Sequence, residues 1–350
     1  MKVAIIGSGI VGLTLAHTLT EKNIEVTIFE KERDSLSHGT GRNSGVIHSG
    51  IYYQPNTLRS NLCIKGAKLM KKFIVDNNLY INNCGKLLLP KTKNDIETLK
   101  LLYERSKEVG VEAQKLNSIE EIIRIEPNCN PLYNDALFIK DTAIADPKEV
   151  SNKLIEILKK RNVIIKYGFK VDEISSENTS ITTKGNINKF DFIINSAGLH
   201  ADHLAKKANL ETDYTSIPFK GKYWKINFSD KNEIPNRLIY PVPNLDYPFL
   251  GIHTVYDKAG NFYLGPSNTP VFGREAYKPF YKFNLLAFLN LSYKFILKIF
   301  FNENNLRNLA LSEFKNLFLF NVRKSSNVYF KHNPSNIELS SKVGIRSQIF

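Results

Sequence analysis

Three glycines near the start of the chain have the spacing of a phosphate-binding turn. Gly7, Gly9 and Gly12 follow the apolar segment Lys2–Ile6, and a second apolar segment further along ends at Glu30. In a strand-helix-strand unit, such glycines let the backbone approach a pyrophosphate at the helix N-terminus, and the terminal acid binds ribose hydroxyls. The segment therefore predicts a dinucleotide-binding fold of the Rossmann type. It does not distinguish FAD from NAD.

The glycine-rich segment 37–53 favours FAD. Its sequence is Ser-His-Gly-Thr-Gly-Arg-Asn-Ser-Gly-Val-Ile-His-Ser-Gly-Ile-Tyr-Tyr, in which glycines alternate with small hydroxyl and amide side chains. Because such residues are short, backbone and polar groups can approach a flat polar ligand closely. A simple NAD-binding domain is expected to carry an ordinary helix at this point. We therefore predict FAD as the cofactor, with contacts from Thr40, Gly41, Arg42, Asn43, Ser44 and Gly45.

The same segment resembles the L-2-hydroxyglutarate dehydrogenases and oxidases, which belong to the D-amino-acid-oxidase-like flavoproteins. The similarity extends along nearly the whole chain. After residues 40–53, the similar segments are Asp146-Pro147, Asn195 to Leu199, Phe219 to Tyr223, Ile239 to Pro243, Pro248 to His253, Leu264 to Pro266 and Gly344 to Gln348. The resemblance implies oxidation of L-2-hydroxyglutarate to 2-oxoglutarate, with hydride transfer from C2 to flavin N5 and quinone or oxygen as the electron acceptor.

The order of predicted elements indicates two interleaved domains. Residues 163–184 read as short strands separated by turns, and residues 190–194 as a buried strand that leads to Ala197-Gly198 and a helix from about Ala201. The small residues Ala197 and Gly198 let the backbone approach the cofactor, and the resemblance implies adenine-side contacts there. We predict an α/β fold with an α+β substrate part. The FAD-binding Rossmann-like domain comprises residues 1–80, 146–210 and 336–350, and an antiparallel-sheet substrate domain comprises residues 81–145 and 211–335.

Oxidation of a 2-hydroxy acid requires a base for the hydroxyl proton and cations or donors for the carboxylate. Histidine is the natural base near neutral pH, and His48 and His253 lie in segments that resemble the family. A structural hydrogen bond for His48 and a core position for His253 are the alternatives, and the sequence does not decide which histidine takes the proton. Arg346 is the first candidate for carboxylate binding, because guanidinium can bind bidentately; a surface salt bridge or a flavin contact is its alternative. Lys220 and Tyr223 are further candidates for binding the substrate. We predict no metal site.

The composition limits the partners of the protein. The net charge is +14, but the lysines are scattered among asparagine and isoleucine without a nucleic-acid motif. We therefore predict a small-molecule dicarboxylate substrate and no nucleic acid. Residues 285–301 are mostly apolar, with Asn290, Lys294 and Lys298 along one side. This pattern predicts an amphipathic helix that packs on its own domain or, alternatively, lies on a membrane surface.

The cysteines and the N-terminal segment indicate a cytoplasmic protein, with peripheral contact to the inner face of the membrane as an alternative. Cys63, Cys84 and Cys129 are odd in number and share no CxxC spacing, which is typical of reduced thiols. The first apolar segment is interrupted by glycines within a few residues, unlike a secretion signal.

Two other functions remain open from the sequence. A related flavoprotein could act on an amino acid, a secondary amine or glycerol 3-phosphate, although the segments around His48 and Pro248 argue against this. Relatives in the family usually continue beyond the strand that contains Arg346, whereas this sequence stops at Phe350. An inactive, truncated flavoprotein is therefore the third interpretation.

Overall fold

The computed structural model describes residues 1–177, 179–210, 216–245, 247, 250–271, 273–278, 285–302, 307, 322 and 329–349. The helices in this part of the chain are α1 (Ile10–Thr20), α2 (Gly39–Arg42), α3 (Leu58–Asp76), α4 (Asp95–Glu108), α5 (Ile119–Ile125), α6 (Pro147–Lys160), α7 (Ala201–Lys207) and α8 (Leu285–Phe300). The strands are β1 (Lys2–Ile6), β2 (Glu25–Glu30), β3 (Val46–Ile47), β4 (Ile81–Asn82), β5 (Lys86–Leu89), β6 (Ala113–Leu116), β7 (Ala136–Ile139), β8 (Ala143–Ala145), β9 (Ile164–Tyr167), β10 (Glu173–Ser175), β11 (Ser180–Thr183), β12 (Asn186–Lys189), β13 (Phe192–Asn195), β14 (Ser216–Asn227), β15 (Leu238–Pro241), β16 (His253–Tyr256), β17 (Phe262–Gly265), β18 (Thr269–Pro270) and β19 (Asn336–Ile349).

A parallel sheet carries the glycine turn at the end of its first strand. Its four strands pair in the order β13-β1-β2-β9. Leu13 of α1, Ile74 of α3 and Leu154 of α6 belong to one buried cluster with Ile5 and Ile28 of the sheet. The alternate residues Ala4, Ile6 and Phe29 belong to a second cluster with Ile181 of β11 and Leu204 of α7. Since side chains alternate along a strand, both faces of this sheet are covered, as is usual for parallel sheets.

Two further sheets form the second half of the core. β5 pairs parallel with β15 and antiparallel with β7, which also pairs with β6. In the other sheet, β14 pairs antiparallel with β17 and β18 on one edge and with β19 on the other. The contact between β14 and β19 extends from Ser216 opposite Ile349 to Asn227 opposite Asn336, with a register shift between Lys222 and Trp224. The mixed α/β architecture confirms the predicted fold class.

One expectation about an individual strand is wrong. The strand before Ala197 was expected to be buried, but β13 is only partly buried and Phe192 is 58% exposed. The reason is that β13 pairs with β1 alone among the described strands and so lies at the edge of its sheet. β19 is hydrogen-bonded along β14, so the predicted boundary between residues 211–335 and 336–350 crosses this sheet. The division into two domains stays a prediction.

The amphipathic helix is present as α8, although its polar side is not described. Phe295 is buried against Phe219 of β14, with ring centroids 6.5 Å apart, and Ile299 packs in the same cluster. The side chains of Asn290, Lys294 and Lys298 lie outside the described part of the structure. Apolar residues that recur at helical spacing are exposed, namely Leu285, Leu289, Tyr293, Ile296 and Phe300. Among the described residues, no helix is both long and apolar enough to cross a membrane.

Candidate functional site

A cavity of about 1280 Å³ lies between the glycine turn and the sheet around β14. Among the residues singled out from the sequence, those that line it are Gly7, Gly9, Glu30, Thr40, Asn43, Ala197, Gly198, Lys220 and Arg346. Two groups of residues thus line the cavity from different sides. One group comes from the turn after β1, the end of β2, the loop around α2 and the turn after β13, and the other from the middle of β14 and the end of β19. Parallel strands place their carboxyl ends at one sheet edge, where α/β folds bind ligands.

The glycine turn is packed so closely that side chains do not fit at two of its positions. Gly7 has φ of +100°, and a Cβ there would lie 2.7 Å from the carbonyl oxygen of Ser196. A Cβ on Gly12 would lie 2.1 Å from the carbonyl oxygen of Gly7. The start of α1 is therefore held directly against the turn, with its first amide groups at the cavity wall. Thr40 contributes to the same wall and accepts a hydrogen bond from the Ile10 N–H at 2.9 Å.

Glu30 places a buried carboxylate at the end of β2. One of its oxygens accepts hydrogen bonds from the backbone N–H and the hydroxyl of Ser8, both at 2.9 Å, and the other accepts from the Glu32 N–H. The residue is 8% exposed. These bonds orient the carboxylate beside the glycine turn, where the sequence predicted a ribose-binding acid.

The remaining loop residues hold the loop itself and do not line the cavity. Arg42 donates to the Ser37 carbonyl at 2.6 Å and to the Val343 carbonyl at 3.3 Å, so it links the loop to β19. Its guanidinium carbon lies 4.1 Å from the ring centroid of Tyr277. Gly41 and Gly45, also in this loop, lie in close contact with neighbouring backbone. Ser44 hydrogen-bonds Tyr223.

A buried polar cluster contains both candidate histidines. His253, the first residue of β16, stacks on Tyr240 of β15 with ring centroids 3.9 Å apart. Its Nδ1–H donates to the Gly251 carbonyl at 2.7 Å, which leaves Nε2 as the proton acceptor of the neutral ring. His48 follows β3, and its Nδ1 is buried without a hydrogen-bond partner among the residues that the structure describes. We name these two histidines, together with Tyr52, Lys86 and Tyr240, the buried polar cluster.

Lys86 is a member of this cluster that the sequence reasoning missed. Its side chain is fully buried at the start of β5, and its Nζ has no hydrogen-bond partner within the described ranges of the chain. The ammonium lies 4.2 Å from the ring centroid of Tyr52 and 5.1 Å from that of Tyr240. A signal was present in the sequence, because this lysine directly precedes three leucines in an otherwise apolar segment.

Burial changes the charge states expected in the cluster. Burial, and then the nearby Lys86 and His253, lowers the pKa of His48 to about 3. Burial also lowers the pKa of His253 to about 3; the hydrogen bond to Gly251 opposes this shift, and Lys86 and Arg346 add to it. For Lys86, burial lowers the pKa to about 7. Both imidazoles are consequently neutral at pH 7, each with one ring nitrogen that carries no proton.

The three predicted carboxylate-binding residues differ in position. Arg346 lines the cavity, donates to Asn268 at 2.6 Å and is close enough to His253 to affect its pKa. Lys220 lines the cavity as well, and burial lowers its pKa. Tyr223 is buried, and burial raises its pKa to about 12. Arg346 therefore connects the cavity with the buried polar cluster.

A group of possible metal ligands lies elsewhere on the cavity wall. Glu32, His38 and Glu275 bring ligand atoms within 4.8 Å of one another. The Lys31 ammonium hydrogen-bonds both carboxylates, and the His38 Nε2 lies 3.0 Å from Glu32. These contacts describe an ion-pair network, and the absence of a metal site stays a prediction.

The match to a family identifies the class of protein. Residues 2–288 match the family described as DAO, FAD dependent oxidoreductase. The chain belongs to this family. The family is named for FAD, the cofactor that we predict from residues 37–53. The prediction of FAD is therefore confirmed.

The curated relatives of this FAD-dependent oxidoreductase include several L-2-hydroxyglutarate dehydrogenases. The chain is 33% identical over 279 residues to the enzyme of Escherichia coli K12, covering 78% of this chain and 65% of the relative. It is 32% identical over 294 residues to the mitochondrial enzyme of Homo sapiens, covering 79% and 63%. For the enzyme of Indibacter alkaliphilus, the identity is 35% over 283 residues, covering 79% and 70%. The chain thus matches about two thirds or slightly less of the length of these relatives.

Two solved structures of similar fold are an oxidase and a dehydrogenase by name. An L-alpha-glycerophosphate oxidase from Mycoplasma pneumoniae with FAD bound superposes with a TM-score of 0.70 at 25% identity, covering 83% of this chain and 77% of that one. An L-proline dehydrogenase from P. horikoshii superposes with a TM-score of 0.68 at 21% identity, covering 84% and 76%. The second likeness concerns the fold alone.

The residues of the cavity fit an FAD molecule. The glycine turn admits a pyrophosphate where no side chain fits, and Glu30 is positioned for ribose hydroxyls. Thr40, Asn43, Ala197 and Gly198 supply short groups along the wall. This oxidoreductase would therefore hold the nucleotide at the parallel sheet, with the cavity continuing toward Lys220 and Arg346.

We expect Glu30→Gln to weaken FAD binding about tenfold. The change removes the negative charge that would strengthen the hydrogen bonds to the ribose hydroxyls. Hydrogen bonds to charged groups contribute about 1.5–3 kcal/mol. A loss of about 1.4 kcal/mol raises the dissociation constant tenfold. The measurement is the dissociation constant from fluorescence titration of the apoprotein with FAD. Glu25→Gln, at the exposed opposite end of β2, is the control, and an equal loss in both variants would contradict the role of Glu30.

Proposed function

We propose that this chain oxidises L-2-hydroxyglutarate to 2-oxoglutarate with FAD. The observation that carries the proposal is the buried polar cluster, in which neutral histidines adjoin Lys86 and, through Arg346, the cofactor cavity. A neutral base beside two cations suits a substrate that has a hydroxyl to deprotonate and two carboxylates to bind. The relatives named L-2-hydroxyglutarate dehydrogenase support this choice of substrate.

His48 is the proposed base, and His253 the proposed positioning residue. The Nδ1 of His48 is buried and has no hydrogen-bond partner among the described side chains and backbone groups, so a bound substrate can satisfy it. His253 has its ring fixed by Tyr240 and its Nδ1–H fixed by Gly251. His48 would take the hydroxyl proton of the substrate. When bound, FAD supplies the two-electron acceptor for the hydride from C2.

Arg346, which lines the cavity, is the proposed partner of the carboxylate more distant from the reacting carbon, and Lys220, which lines the same cavity, is a further candidate. A guanidinium binds a carboxylate with two parallel hydrogen bonds. Tyr223 lies near Arg346 and hydrogen-bonds Ser44 of the cofactor loop, which would hold that loop in place. These groups bind and orient the substrate, while the buried surroundings exclude water.

The test is reduction of the flavin by the substrate without oxygen. We expect L-2-hydroxyglutarate to bleach the flavin absorbance of the purified, FAD-loaded protein, and D-2-hydroxyglutarate and amino acids to leave it unchanged. Bleaching by glycerol 3-phosphate instead would favour the second candidate, to which the likeness to a glycerophosphate oxidase at 25% identity gives some support. A protein that takes up no FAD would contradict both.

We also propose that α8 brings the protein to an anionic membrane surface, where quinone could act as acceptor; oxygen is the alternative acceptor. The exposed apolar residues of α8 and the net charge of +14 support this proposal. Flotation with vesicles that contain anionic lipid should recover the protein, and Phe300→Glu should reduce the recovery. Leu62→Glu, at an exposed leucine of α3, is the control, and equal recovery of both variants would count against α8.

A further inference from the structure

The ammonium of Lys86 has no hydrogen-bond acceptor among the described residues, although its side chain is fully buried. Its close contacts are the ring faces of Tyr52 and Tyr240. Ring faces attract a cation but replace only part of the hydration that burial removes. A lysine in this state destabilises the fold unless another group completes its surroundings.

Other polar atoms of the cluster share this condition. Within the described part of the chain, the hydroxyls of Tyr52 and Tyr240 and the Nδ1 of His48 are also buried without hydrogen-bond partners. Each hydroxyl can donate one hydrogen bond, and the ammonium can donate three. A carboxylate accepts about four hydrogen bonds through its two oxygens. One carboxylate placed among these groups would therefore satisfy several unpaired donors at once.

We infer that Lys86 binds the C1 carboxylate of the substrate, the one attached to the carbon that is oxidised, with the hydroxyls of Tyr52 and Tyr240 as further donors. The inference rests on the proposed function. His48 and Lys86 belong to one cluster, and the C1 carboxylate shares its carbon neighbour with the hydroxyl that His48 would deprotonate. The second carboxylate is left to Arg346 and Lys220, which line the cavity.

The charge of Lys86 makes this binding dependent on pH. Burial lowers the pKa of Lys86 to about 7, and Cys63 opposes the shift. Other titratable groups around it are neutral at pH 7, since burial lowers the pKa of the histidines and raises that of the tyrosines: His48, His253, Tyr52 and Tyr240. A bound carboxylate favours the charged ammonium. Affinity should therefore be full below pH 7 and fall as the pH rises above it.

The test uses two ligands that differ in the distal carboxylate. Calorimetric titration of the FAD-loaded, oxidised protein with 2-oxoglutarate and 2-oxobutyrate gives the affinity at several pH values. We expect Lys86→Met to weaken both ligands about tenfold or more and to abolish the loss of affinity above pH 7. The matched control is Lys91→Met, because the Lys91 ammonium also lies over a tyrosine ring, 4.8 Å from the centroid of Tyr329, outside the cluster. It should bind as the wild type does.

Stability distinguishes a ligand-binding lysine from a structural one. Lys86→Met removes a buried, unpaired charge, so we expect its melting temperature without ligand to equal or exceed that of the wild type; Lys86→Gln provides a second variant of similar length. Unchanged affinity for 2-oxobutyrate in either variant would overturn the assignment to C1. If the wild-type flavin is not reduced by L-2-hydroxyglutarate, the proposed function fails. If it is reduced but both variants bind normally, only this inference fails.

Discussion

His48→Asn is expected to slow reduction of the bound flavin by L-2-hydroxyglutarate about 10²–10⁴-fold, the usual contribution of a general base. The imidazole of His48 is neutral at pH 7 because burial lowers its pKa to about 3, and its Nδ1 has no hydrogen-bond partner in the part of the chain that the structure describes. Asparagine retains a polar side chain of similar reach but cannot accept the proton. The measurement is the anaerobic reduction rate in a stopped-flow instrument at saturating substrate.

His253→Asn is the matched comparison for this experiment. Its ring orients Tyr240 by stacking and is itself held by Gly251, so we expect a smaller loss of rate and a larger loss of substrate affinity. Both variants should keep the flavin spectrum of the wild type. A larger rate loss for His253→Asn than for His48→Asn would reverse the two proposed roles.

Gly12→Ala is expected to leave the protein largely without FAD. The new Cβ would lie 2.1 Å from the Gly7 carbonyl oxygen and 3.0 Å from the Ser196 hydroxyl, so α1 must move away from the turn. Overpacking of this kind costs about 1–3 kcal/mol, and the displacement also removes the helix N-terminus from the pyrophosphate. The ratio of flavin to protein absorbance after purification measures the loss.

Gly66→Ala is the control for the glycine turn. Gly66 lies inside α3, and a Cβ there would meet no heavy atom within 4 Å. Alanine in a helix interior is more stable than glycine by about 0.5–1 kcal/mol, so this variant should retain FAD and melt slightly higher. Full retention of FAD by Gly12→Ala would show that the close contact can relax without harm.

The first thirty residues could be interpreted from the sequence because their structure is local. The turn at Gly7 joins consecutive elements, and Glu30 ends the next strand, so spacing alone indicated both positions. The same holds for Asp146, which caps α6 by accepting a hydrogen bond from the Lys148 N–H. The family resemblance then extended these local patterns to the choice of cofactor.

The buried polar cluster could be predicted only in part, because it depends on distant contacts. His48 and His253 could be singled out because they lie in segments that resemble the family, but Lys86 belongs to no motif. Its burial follows from the pairing of β5 with β15, which is distant in sequence. The exposed edge of β13 has the same origin, since strand order in a sheet is a property of the whole fold.

The pairing of β1 with β13 has a consequence for synthesis of the protein on the ribosome. Val3 lies opposite Phe192, so β1 cannot pair with β13 until about residue 195 has been synthesised. At about 5–20 residues per second, this delay is about 10–40 s. During that time the edge of β1 is open to pairing with other chains. Nascent chains of this protein should therefore depend on chaperones until the sheet can close.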